Sequence, residues 1–98
     1  MPVISTTDEF SRWLKDLRDA TAKAKILVRI DRLAEGNPGD VAPVGGGVSE
    51  LRIHHGPGYR VYFIRRGDQL IVLLCGGDKN SQDKDIMFAR KLAKELES

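Results

Sequence analysis

Residues 50–63, ELRIHHGPGYRVYF, decide the fold of this chain. Leu51 and Ile53 alternate with polar neighbours at the two-residue period of a β-strand, YRVYFI resumes that period, and Gly56-Pro57-Gly58 between them is a turn signal. Alternation places Glu50, Arg52 and His54 on one face and Leu51, Ile53 and His55 on the other. The apolar pair, with Val61, marks the core side, so Arg52 and His54 are expected to point outward together. A hairpin that sets position 52 opposite 60 closes on a three-residue turn, His55 to Pro57, and aligns Arg52 with Arg60 and Glu50 with Tyr62. A bulge would change the facing of one strand.

Two arginines directly opposite one another disfavour folding, so this register points either to a shared acid such as Glu50 or to an anionic ligand. Phosphate suits the second case, because guanidinium forks match its oxygens. Lys79, in a glycine-led loop ahead of a helix N-terminus, provides a second anion-friendly edge. The plain alternative is that both arginines form surface salt bridges and Lys79 is merely solvated.

Outward from the hairpin, QLIVLLC (69–75) reads as a third strand of an antiparallel meander, and its nearly continuous apolar run fits a central strand covered on both faces. Arg66-Gly67-Asp68 before it is a turn. After the strand, GGDKNSQDKDI leads into a helix with Ser81 as N-cap and Ile86, Ala89, Ala93 and Leu96 on one face. On the N-terminal side, PVIS reads as a short strand. TTDEF then carries a capping box with Thr6 as N-cap and Glu9 three residues on. Phe10, Trp13, Leu14 and Leu17 form a helical apolar stripe, which makes Trp13 a packing residue. A break at DAT separates this helix from a second one whose Ala22, Ile26, Ile30, Leu33 and Ala34 share a face, ending at Gly36. The stretch GNPGDVAPVGGG is expected to be a loop throughout, and it lacks the flanking strand and helix that a phosphate-binding glycine loop requires. The predicted order is βααβββα, an α+β domain spanning residues 1–98 in which a helical hairpin and a C-terminal helix pack on a small antiparallel sheet.

Composition narrows the function. The 98 residues are 41% hydrophobic and 31% charged, with a formal net charge of +2, which is far from the strongly cationic balance of a dedicated duplex-DNA binder. The cationic density is local: Arg52, Arg60, Arg65 and Arg66 with His54 and His55 face a single acid, Glu50, between positions 48 and 66. Lys23, Lys25, Arg29 and Arg32 lie on the solvent face of the second helix, either as part of a polyanion footprint or as a solvated surface. The longest apolar run is far shorter than the roughly 20 residues that span a bilayer, and no signal-peptide pattern opens the chain, so a cytoplasmic location is expected. The single Cys75 sits inside an apolar strand and reads as core. His54 and His55 point to opposite faces without further ligands at suitable spacing, so no metal site is expected. Neither Ser49 nor Ser81 lies in a nucleophile elbow. What remains is electrostatic and acid-base chemistry on a phosphate, with His54 able to exchange a proton near neutral pH.

FSRWLKDLRD, RIDRLAEGNPGD, GVSELRIHHGPGYRVYF and LLCGGDKNSQDKDI together resemble the successive motifs of bacterial addiction-module killer proteins, HigB-like toxins of the RelE/ParE superfamily. The resemblance runs over nearly the whole chain. It implies the toxin of a type II toxin-antitoxin module, an endoribonuclease that cleaves messenger RNA in the ribosomal decoding site by attack of the ribose 2′-hydroxyl, without metal or cofactor. It also implies a cognate antitoxin, usually a helix-turn-helix protein encoded adjacently, through which alone operator DNA would be met. Arg60 takes the position of the arginine that contacts the scissile phosphate, Arg52 that of a strand lysine, and Lys79 lies near a catalytic arginine. His54 or Asp85 would stand in for a C-terminal tyrosine that this chain lacks. Gln82, Arg65, Lys23 and Arg29 would contact RNA. The same superfamily also holds ParE-like inhibitors of DNA gyrase, which cleave nothing, and a detoxified antitoxin-binding protein is a third reading.

Overall fold

A computed structural model of the chain describes residues 2–97. Its elements are β1 (Val3–Thr6), α1 (Asp8–Asp16), α2 (Ala20–Ala34), β2 (Val41–Gly45), β3 (Val48–Ile53), β4 (Tyr59–Arg66), β5 (Leu70–Gly77), a 3-10 turn at Lys79–Ser81 and α3 (Gln82–Leu96). The five strands form one mixed sheet in the order β1-β5-β4-β3-β2, with β1 parallel to β5 and every other neighbouring pair antiparallel. The fold is thus the expected α+β type, with two differences: the order is βααββββα, and the sheet is mixed rather than antiparallel.

The added strand is β2, within the stretch expected to be a loop. Its Pro43 is tolerated because β2 is an edge strand, where a missing N–H breaks no ladder between neighbours. Composition suggested a loop there; pairing against β3 overrode it.

Local signals set the helix ends. Thr7, not Thr6, caps α1: its hydroxyl accepts from the Phe10 amide at 3.0 Å and donates to the Leu74 carbonyl, fastening the helix to β5. Thr6 is held in the β1 ladder opposite Leu73, which shifts the cap by one residue. Asp19 caps α2 through the Ala22 amide at 3.1 Å. In α3 the buried residues are Ala89, Leu92 and Ala93, whereas Leu96, expected inside, is exposed.

Each face of the sheet carries its own core. Phe10 of α1 and Ile26, Ile30 and Leu33 of α2 pack on Leu51, Ile53, Val61, Phe63, Ile71 and Leu73. On the other face Ala89, Leu92 and Ala93 of α3 cover Val48, Tyr62, Ile64, Val72, Leu74 and Cys75. A bulge between β4 and β5, where Tyr62 pairs with Cys75 but Phe63 with Leu73, puts Leu74 and Cys75 on the α3 face together. Fully burying a side chain of this size is worth about 1.5–3 kcal/mol, so both cores hold the sheet. β5, flanked by β1 and β4 and covered by α1 and α3, is the central strand its apolar run indicated. Among the described residues no helix is long and apolar enough to cross a membrane.

Candidate functional site

The β3–β4 register is the one the sequence suggested: Arg52 lies opposite Arg60 and Glu50 opposite Tyr62. The ladder ends at Ile53 and Tyr59, so the connection is His54 to Gly58 rather than a three-residue turn. The polar face points outward only in part: the Arg52 side chain is 37% and that of His54 70% exposed, whereas the start of α3 leaves Glu50 fully buried and Arg60 only 8% exposed. Alternation correctly separated the two faces, but helices pack on each side of the sheet.

Glu50 is the hub. Its Oε1 accepts from Arg52 Nε at 2.8 Å, and its Oε2 accepts from Gln82 Nε2 at 2.7 Å and from the Tyr62 hydroxyl at 3.2 Å. Burial on its own drives this carboxyl up, but the hydrogen bonds from Arg52 and Gln82 and the charges of Arg52 and Arg60 outweigh it and hold the group below its ordinary 4.5. Glu50 in turn raises the Arg52 guanidinium, chiefly through their hydrogen bond. Tyr62 is pushed up by burial and then by the Glu50 charge, so its hydroxyl stays protonated and donates. The shared acid that the arginine pair called for is therefore present.

It is shared unequally. Arg60 Nε stands 3.8 Å from Glu50 Oε1, too far for a hydrogen bond, and is a buried donor with no acceptor among the described residues. Its Nη1 reaches only the Gly58 and Tyr59 carbonyls, both at a long 3.4 Å. Leaving a buried donor unpaired costs roughly 1–3 kcal/mol, which an incoming acceptor would recover. Arg52 is positioned; Arg60 is poised.

The glycines around Arg60 are there for close approach. At Gly58, with φ +81, a Cβ would lie 3.4 Å from the Lys79 Cβ and 3.6 Å from Arg60 Nη1, so this turn brings Lys79 to the arginine, and the Lys79 amide also meets the Pro57 carbonyl at 3.4 Å. No carboxylate pairs with Lys79 among the described residues. Gly77 pairs with Arg60 in the β4–β5 register, and a Cβ there would overlap Asp85 Oδ2 at 1.8 Å. Asp85 accepts from the Ser81 hydroxyl, so its carboxylate is held over that strand position. Gly76 makes room for Trp13, whose ring would be 2.3 Å from an added Cβ. Trp13 packs against Phe10 and Tyr59, as its place in the apolar stripe implied.

His54 sits at the rim. Its Nε2 is 2.6 Å from Asp40 Oδ2, while Asp40 Oδ1 is 3.6 Å from Arg52 Nη1, which links the exposed imidazole to the buried network through one acid. The His54 hydrogen bond, more than the Arg52 charge, lowers Asp40. His55 turns instead to Asp19, the α2 cap, at 3.1 Å. Among the described residues no three His, Cys, Asp or Glu side chains converge on one point.

The remaining predicted contacts divide. Gln82 joins the cluster through Glu50. Arg29 does not present its guanidinium to solvent: it donates to the carbonyls of Arg52, Pro38 and Asp40, pinning the segment that carries Asp40 against β3. Lys23 donates to the Lys15 carbonyl at 3.4 Å, at the helix pair. Arg65 is exposed at the far end of β4, five residues from Arg60, or about 17 Å at ordinary strand rise. Cys75 is buried and its thiol is pushed up to about 12, by burial first and Asp85 second, which suits a packing role. Sequence reasoning underrated Glu50, Tyr62 and Asp40. The first two were legible as a cross-strand pair, whereas nothing local ties Asp40 to position 54.

The family model for Gp49-like phage-derived proteins (DUF891) matches residues 12–95. An uncharacterized protein of Haemophilus influenzae is 54% identical over 93 residues, covering 95% of this chain and 94% of the relative. The solution structure of the conserved hypothetical protein HP0894 from Helicobacter pylori resembles the fold with a TM-score of 0.55 at 18% identity, over 82% of this chain and 97% of that one. The chain therefore belongs to the Gp49-like family, and its α+β fold is shared with HP0894.

Proposed function

We propose that this protein is the toxin of a type II toxin-antitoxin module and cleaves messenger RNA on the ribosome. The observation that carries the reading is Arg60: a buried guanidinium with an unused Nε, flanked by Arg52 and by the unpaired Lys79. A phosphodiester seated there would receive donors fixed before it arrives, the arrangement that stabilises charge developing in a transition state. Attack of the ribose 2′-oxygen on phosphorus, with loss of its proton, breaks the bond to the 5′-oxygen, which takes up a proton as it leaves. The products are a 2′,3′-cyclic phosphate and a 5′-hydroxyl end, and no water is consumed.

Arg60 and Lys79 bind the non-bridging oxygens, with Arg52 and Gln82 held around Glu50 as the fixed wall of the site. Asp85, over the strand position paired with Arg60, and His54, backed by Asp40, are the groups able to move the two protons. A cognate antitoxin neutralises the protein.

Incubation with purified ribosomes and a defined message, followed by primer extension, tests the reading. Discrete cuts at the decoding site by the wild-type protein, lost in Arg60→Ala, are expected. An intact message together with inhibited DNA supercoiling would assign the protein to the gyrase inhibitors instead.

A further inference from the structure

Phosphodiesters carry one negative charge, whereas terminal phosphate monoesters carry nearly two at neutral pH. The cluster around Arg60 is charged in a way that distinguishes them. Arg52 is engaged by two acids, Glu50 at 2.8 Å and Asp40 at 3.6 Å, and Glu50 also faces Arg60 Nε at 3.8 Å. The local cations are therefore largely neutralised from beneath, and the surplus left to a ligand is small. Glu50 is fully buried, so its charge acts across protein rather than across water, and its two oxygens are fixed by three donors.

We infer that Glu50 is a specificity-determining residue, which makes the Arg60 site selective for an internal phosphodiester monoanion and against a terminal phosphate dianion. The inference rests on the phosphate reading of Arg60 and deepens it by naming the substrate class. Under it, the enzyme engages a chain at an internal linkage and passes over ends that carry a terminal phosphate. A buried acid left close to an anion site would otherwise only weaken binding. Here its cost falls mainly on the more highly charged competitor, because like charges set against one another are the usual device for rejecting a wrong partner.

The test is a titration followed on the Nε–H resonance of Arg60. The probes are a 2′-deoxy dinucleoside monophosphate, with one internal diester, and a 2′-deoxynucleoside 3′-monophosphate, with one terminal group, neither of which can be cleaved by a 2′-oxygen. Wild-type protein is expected to bind the diester at least as tightly as the monoester. Glu50→Gln removes the charge while keeping an amide of the same shape, and should shift the preference about tenfold toward the monoester. Gln82→Lys is the second variant. Gln82 is partly exposed at the start of α3, so a lysine there can neutralise Glu50 without emptying the buried position, and it should shift the preference the same way. An unchanged preference in a folded Gln82→Lys protein overturns the inference and leaves Glu50 as scaffold, even if Arg60→Ala, titrated by calorimetry, binds neither probe. Failure of the diester to move the Arg60 resonance in wild-type protein also overturns it. Primer extension reports separately on cleavage, so loss of the selectivity claim and loss of the nuclease reading give different results.

Discussion

The two faces of the sheet are built from alternate residues of the same strands, yet they are organised differently. On the α1–α2 face, every buried side chain from Phe10 to Leu73 is apolar. On the α3 face an apolar core of similar kind gives way, toward the hairpin end, to Glu50, Arg52, Arg60, Tyr62 and Gln82. Burying a carboxylate is costly unless it is paired and hydrogen-bonded, and here it is both, while one of its arginine neighbours is left with a buried donor unused. The contrast teaches that one face can be devoted to stability because the other is not. The α3 face trades some packing for donors fixed at one place.

Adjacent residues on β4 allow the contrast to be broken or sharpened. Phe63→Ala empties a position on the dry face and should cost about 3–5 kcal/mol in chemical denaturation. Tyr62→Phe, one residue away on the other face, keeps the ring but removes a donor to the buried carboxylate, and should cost about 1.5–3 kcal/mol. A Tyr62→Phe loss as large as that of Phe63→Ala would mean that the network, not the apolar packing, dominates the fold.

Acid separates the faces as well. Glu50 has its folded pKa depressed below 4.5, so its stabilisation is fully present at neutral pH and is lost as the pH falls below 4.5 through the folded value. Asp19 and Asp40 are lowered too and add to the same acid limb. Denaturation midpoints should fall on acidification, and Glu50→Gln should make that fall shallower, whereas Leu51→Val on the dry face should leave its slope unchanged. The smallest effect is expected at Asp19→Ala, which removes the α2 cap and the partner of His55. It should lower the denaturation midpoint only slightly, with cleavage unaltered.

Much of this arrangement was legible in the sequence because the hairpin combines period-two alternation with an unambiguous turn. The Arg52–Arg60 register and the separation of Glu50 from Leu51 followed from that alone. What was not legible depended on other elements. Alternation separates faces but does not say whether a helix covers the second one, so the burial of Glu50 and Arg60 under the start of α3 was not legible, whereas the outward facing of Arg52 and His54 was. β2 was hidden by Pro43 and three consecutive glycines, whose local preference is for turns, and became a strand only through pairing with β3. The parallel β1 edge and the Asp40–His54 link are likewise contacts between distant segments. The resemblance to RelE-like toxins directed attention to Arg60; burial and the unused Nε supplied the physical reason for it.

The central claim is that stability and function are separable at Arg60. Its most direct test measures cleavage and the denaturation midpoint on the same preparations of wild-type and Arg60→Ala protein. Removing a donor aimed at developing charge is expected to slow cleavage about 10²–10³-fold, while the midpoint falls only modestly, since Arg60 lies 3.8 Å from Glu50 without a hydrogen bond to it and the shorter bonds from Arg52, Gln82 and Tyr62 remain. Cleavage that persists in a folded Arg60→Ala protein, or a midpoint that collapses with the activity, would contradict the account.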